Sequence, residues 1–271
     1  MKKVPVLNKD REKSYFKYYL QDMAPEPKDK LDKITQGPMD NATAPRIENR
    51  NDLFKPGNMP EEFGWWLLED GTAVIANQTF FPDVDGEMFD WWFAWHPIDR
   101  LRYAIWDSED HYDVQLEDPA KALDLSLSLR ERHWGSVHYI WEDIGTGSVD
   151  YLKISFKRPC EMGYDEAKLD TESCNALVCS NVLVAGNEAF PDIPVVMTHF
   201  LRPAPGGSEL RSRFWFGWQI VDGEPVKSIP NGVVIPAEGP VSLLQHNVKE
   251  FTNLAAILSS VYTEEKGNTG I

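Results

Sequence analysis

The sequence predicts an α+β protein in which a curved antiparallel sheet is closed by one long C-terminal helix. Two observations carry this. Between residues 63 and 223, runs rich in β-branched and aromatic residues follow one another, separated by turn residues. After them, Leu243, Leu244, Val248, Phe251, Leu254, Ala255, Leu258 and Val261 recur at spacings of three and four. That spacing makes one apolar face of a 3.6-residue period, running from about Val241 to Glu264. Strands first and a single long helix last is an α+β order, with the helix laid lengthwise across the sheet. A chain of 271 residues, 42% of them hydrophobic, is long enough to bury a substantial core.

Residues 1–62 are rich in Lys, Asp, Asn and Pro and are expected to form an N-terminal arm or small subdomain, with residues 63–271 as the main body. A helical stretch around residues 12–22 has an aromatic side formed by Tyr15, Phe16, Tyr18 and Tyr19. Its proline-rich continuation is expected as extended loop over the surface. Residues 64–80 (GWWLLEDGTAVIANQTF) carry two β-rich runs around Glu69-Asp70-Gly71, a hairpin signal. A helix is expected over 86–95, capped by Asp85 and stopped before Pro97. Residues 100–115 read as alternating or loop-like. The segments LDLSLSLRERHW and GSVHYIWEDIG read as strands, as do YLKISFKRP, ALVCSNVLVAG, IPVVMTHFLRPA and ELRSRFWFGWQIVDG.

Composition removes several function classes. With 43 acidic against 27 basic residues the formal charge is −16, and no basic cluster offsets it, so neither nucleic acid nor an anionic membrane is an expected partner. Cys160, Cys174 and Cys179 form no CxxC and suit reduced thiols in a cytosol. No stretch of about 18 apolar residues is present, and a cytoplasmic location is expected. There is no GxSxG elbow, phosphate-binding glycine loop or dinucleotide fingerprint. Ten tryptophans fit a ring-lined cavity, and equally a β-rich core filled with indoles.

The remaining chemistry centres on LLQHNVKEF, residues 243–251. Four residues apart on a helix is about 40° around the axis, so His246 and Glu250 project side by side at the edge of the apolar stripe. There they are either an exposed hydrogen-bonded pair or half of a metal site. His111 in DSEDHYDV and Glu142 at the end of VHYIWE complete a two-histidine, two-carboxylate set of the kind Zn²⁺ accepts, with a position left for water or substrate oxygen. His138 shares a strand face with Glu142 and is a rival ligand. His199 alternates onto the face of Val195, Met197 and Leu201, as a hydrogen-bonded core residue or as a general acid or base. Tyr103 either donates to a substrate oxygen or packs.

FDWWFAWHPIDRLRYAIW, DHYDV, VHYIWEDIG, MTHFLRP and LLQHNVKEF together resemble the phloretin hydrolase and 2,4-diacetylphloroglucinol hydrolase family over roughly residues 63–262. The resemblance implies a Bet v 1-like helix-grip body. It implies a zinc-dependent hydrolase that cleaves the carbon–carbon bond between an acyl group and a phloroglucinol ring. The metal ligands it implies are His111, Glu142, His246 and Glu250, with His199 catalytic and Tyr103 contacting substrate. A second family tyrosine is replaced here by Phe214 or Trp215. The expected partner is a small aromatic polyphenol substrate, with a homodimer left open. The competing class is a helix-grip carrier that holds an aromatic or lipid ligand unchanged, for which four metal ligands would have no use.

Overall fold

The structure, a computed structural model, describes residues 2–186 and 192–269. Short helices α1 (Phe16–Leu20) and α2 (Lys28–Ile34) and a 3-10 segment (Ile47–Phe54) precede strands β1 (Gly64–Leu67) and β2 (Ala73–Pro82). Helices α3 (Gly86–Trp95) and α4 (Arg100–Trp106) lead to β3 (His111–Leu116), and α5 (Pro119–Leu123) and α6 (Leu129–His133) follow. Next come β4 (Val137–Glu142), β5 (Asp150–Lys157), β6 (Ala176–Val184), β7 (Ile193–Ala204) and β8 (Gly207–Phe216). A small ribbon, β9 (Trp218–Val221) and β10 (Glu224–Lys227), precedes the 28-residue α7 (Glu238–Glu265).

Strands β1 to β8 form an eight-stranded antiparallel sheet in the order β1-β2-β8-β7-β6-β5-β4-β3. Helix α7 packs along β2 near one edge, while His246 of α7 lies 3.4 Å from His111 of β3 at the other edge. Both ends of the sheet can meet one helix only if the sheet curls around it. This is the α+β arrangement that the sequence predicts, a curved antiparallel sheet closed by one long C-terminal helix.

Alternation along β7 and β8 divides the interior into two cores. Val195, Met197, Leu201, Leu210, Phe214 and Phe216 face α7. Val196, Phe200 and Trp215 face the opposite side, where Ile47, Leu53, Phe54 and Tyr164 cover them. The stretch after residue 22, expected as surface loop, therefore supplies part of a core. A buried ion triad fixes it: Glu62 accepts from Arg211 Nη2 at 2.6 Å and also pairs with Arg213.

The helix over 86–95 is present, with Asp85 accepting from Met88 N. Two further stretches differ from expectation. Residues 100–106 are helical because Asp99 accepts from Leu101 N and starts a turn. LDLSLSLRERHW is turn and helix, begun by a Ser128–Glu131 capping box. No helix among the described residues is long and apolar enough to cross a membrane.

Candidate metal centre and active-site cavity

His246 and Glu250, one turn apart on α7, are 4% and 7% exposed, so the pair points into the protein. Glu250 is held by a relay from the sheet. Asn77 Nδ2 on β2 donates to Asn247 Oδ1 at 2.9 Å, and Asn247 Nδ2 donates to Glu250 Oε1 at 2.9 Å. From the far edge of the sheet, His111 and Glu142 stand opposite each other in the β3–β4 register, where a bulge between His111 and Asp113 breaks the ladder.

These side chains converge. His111 Nε2 lies 3.4 Å from His246 Nε2, 3.6 Å from Glu142 Oε2 and 3.7 Å from Glu250 Oε2. His111, Glu142 and His246 each offer a ligand atom within 4.8 Å of the others. Ligand atoms around one tetrahedral Zn²⁺, with bonds of about 2.0–2.2 Å, sit roughly 3.3–3.6 Å apart; the distances from His111 are close to that spacing, and His111, Glu142 and His246 form a group able to hold a metal ion, with Glu250 Oε2 beside it. His111 Nδ1 meets the Tyr103 carbonyl at 3.2 Å, which places its proton on Nδ1 and turns the Nε2 lone pair to the cluster. His246 Nδ1 has its nearest carboxylate, Asp110 Oδ2, at 3.8 Å, and Asp110 is in turn held by Lys249 Nζ at 2.6 Å.

Electrostatics agree with a place for a cation. Burial, reinforced by the neighbouring Glu142, pushes the Glu250 carboxyl up to about 8 despite His246. Burial likewise raises Glu142 and holds His111 well below the usual imidazole range. Burial opposes charge on His246 too, but Asp110, Glu250 and Glu142 outweigh it and push the imidazole up to about 10. Two buried carboxylates and two imidazoles around one point are mutually compensated best by a divalent ion.

The cluster opens into a cavity enclosing about 920 Å³, its mouth included, between the concave sheet face and α7. Tyr103, His199, Phe214 and Met197 line it beside Glu142, His246 and Glu250. The Tyr103 hydroxyl donates to Glu142 Oε2, and its ring stacks on His111 with centroids 4.1 Å apart. His199 bonds Ser212 Oγ through Nδ1 at 2.9 Å, and burial lowers its pKa to about 3, so its imidazole is neutral. Of the two candidates for the replaced tyrosine, Phe214 lines the cavity, whereas Trp215 lies on the other sheet face and donates to the Pro45 carbonyl. His138 stands apart from the cluster, bonded to Ser136 Oγ at 3.1 Å. The Asn77–Asn247 relay, Asp110 and the cavity-lining His96 carry no distinctive spacing, and sequence reasoning passes over them.

A family model described as the DAPG hydrolase PhiG domain matches residues 44–263. The phloretin hydrolase of Eubacterium ramulus is 42% identical over 268 residues, covering 97% of this chain and 94% of that protein. A 2,4-diacetylphloroglucinol hydrolase of Pseudomonas sp is 32% identical over 281 residues, covering 94% and 89%. Among solved structures, Ara h 8.0201 aligns at 12% identity with a TM-score of 0.43, covering 70% of this chain and 99% of that one.

Proposed function

The chain belongs to the DAPG hydrolase family and is a carbon–carbon bond hydrolase of phloroglucinol ketones, and we propose that it uses zinc to convert phloretin to phloroglucinol and phloretic acid. The observation that supports the metal reading is the convergence of His111, Glu142 and His246 from opposite sheet edges, with Glu250 Oε2 3.7 Å from His111 Nε2. The higher identity to phloretin hydrolase and the mainly apolar lining of the cavity favour phloretin over diacetylphloroglucinol, which would yield monoacetylphloroglucinol and acetate.

The chemical difficulty is the leaving group, because direct hydrolysis of an aryl ketone would expel an aryl carbanion. Protonation of the ring carbon that bears the acyl group removes it, giving a keto tautomer that the ring hydroxyls stabilise. Water then adds to the acyl carbonyl. The ring–acyl bond breaks with its electron pair returning to the ring as an enolate, which becomes the phenol when protonated, and the carboxylic acid leaves. Zn²⁺ held by the four ligands would supply Lewis-acid polarisation of a substrate oxygen. His199, neutral and anchored by Ser212, moves the proton at the ring carbon or at the attacking water. Tyr103, its hydroxyl proton directed to Glu142, accepts from a substrate phenol O–H and so orients the ring next to the ligand cluster. The apolar walls exclude bulk water from the dearomatised ring.

The assay is hydrolysis of phloretin and diacetylphloroglucinol by the purified protein. Formation of phloroglucinol and phloretic acid supports the reading. Tight binding of either compound without turnover would favour the carrier instead.

A further inference from the structure

His138 is a polar group in the cavity that has no part in the reaction above. Strand β4 turns His138, Ile140 and Glu142 to the same buried face. Four residues along an antiparallel strand carry His138 about 13 Å beyond Glu142. The wall between is Ile140, Leu152 and Ile154, with the Phe156 ring 4.6 Å from His138. At this apolar end the imidazole is oriented by a hydrogen-bond chain. Ser136 Oγ donates to the His133 carbonyl at 2.6 Å, so toward His138 it can only accept, and the 3.1 Å contact places the proton of His138 on Nε2. Its Nδ1 lone pair is left to the cavity.

We propose that His138 recognises the phenolic hydroxyl at the tip of the substrate's acyl arm, accepting its O–H at Nδ1, and thereby selects a hydroxyphenylpropionyl group over an acetyl group. This rests on the hydrolase reading of the preceding subsection. A carbonyl held beside Glu142, two methylenes, a para-linked ring and a hydrogen bond of about 2.8 Å together span a distance of this order. An acetyl group ends one carbon past its carbonyl and leaves Nδ1 unpaired. A buried acceptor without a donor is costly, so a site built around one discriminates against ligands that cannot supply the O–H.

The test compares phloretin with its analogue carrying an unsubstituted phenyl ring, as the ratio of their kcat/KM values. In the wild type the ratio is expected to be tenfold or more, and in His138→Leu to fall near one. His138→Gln, which keeps an acceptor, retains part of the preference. A wild-type ratio near one overturns the inference whatever the variants do, and so does an undiminished ratio in His138→Leu. Absence of hydrolysis with every acylphloroglucinol would instead sink the hydrolase reading itself.

Discussion

His111 and His246 differ in how they are prepared. His111 is fixed by a backbone carbonyl, its Nδ1 against Tyr103 O, whereas His246 Nδ1 has no partner within hydrogen-bond distance among the described residues and faces the Asp110 carboxylate at 3.8 Å, which Lys249 holds in place. Outer partners of metal-binding imidazoles set both orientation and basicity. Asp110→Asn is therefore expected to weaken zinc affinity by about 10–100-fold, read by competition with a chelator. Tyr103→Phe is expected to retain metal while kcat falls by roughly 10–100-fold, because the hydroxyl touches Glu142, a proposed ligand, without being one itself. Loss of zinc in that variant would contradict the assignment. The pair on α7 was legible in the sequence because four residues is a helical repeat, and His111 and Glu142 because no packing role explained them. Asp110, Asn77 and Asn247 were not, since a polar residue's partner 139 or 170 positions away leaves no periodic trace.

At the scale of elements, the site needs a cross-strand pair and a helix turn to meet. Register supplies the first, with His111 opposite Glu142, and α7 supplies the second. The Asn77–Asn247–Glu250 relay locks the helix against β2, and Lys30 of α2 adds a contact at 2.7 Å to Asn77 Oδ1. Asn247→Ala leaves buried groups of Asn77 and Glu250 unsatisfied and is expected to cost about 1–3 kcal/mol, measured by chemical denaturation, with weaker metal binding. Sequence patterns located the long helix, the hairpin and the strands well because each has a buried face. They failed at LDLSLSL, where strict alternation imitates a strand. That stretch has no sheet partner, Leu125 is 58% exposed, and Asp124 takes up Ser126 N and Oγ in a local turn. They failed also at RLRYAIW, where Leu101, Tyr103, Ala104 and Ile105 satisfy neither period cleanly and the Asp99 cap decides.

At the scale of the molecule, a sheet curled around α7 makes the cavity, and a second core on the convex face holds the curl. The Glu62–Arg211–Arg213 triad sits in that second layer. Burial alone would raise the Glu62 pKa, but Arg213 and Arg211 more than offset it and hold the carboxyl below its usual value. A folded pKa below the unfolded one gives stability that is present above about pH 4.5 and is lost as pH falls through the folded value. Glu62→Gln is expected to destabilise by about 3–5 kcal/mol at neutral pH and to flatten the acid limb of the stability profile. A profile identical to the wild type's would show that the triad does not tie the layers together. The sequence offered no sign of this layer, because a proline-rich segment with scattered apolar residues reads as loop until the strand face beneath it is known.

The central claim is that the four side chains gathered from both edges of the sheet hold the zinc on which hydrolysis depends. Phloretin hydrolysis by chelator-stripped protein, before and after addition of zinc, tests it most directly, with Glu250→Ala alongside. The stripped protein should be inactive and recover on zinc addition, and Glu250→Ala should neither retain zinc nor recover. Undiminished turnover by the stripped protein would contradict it.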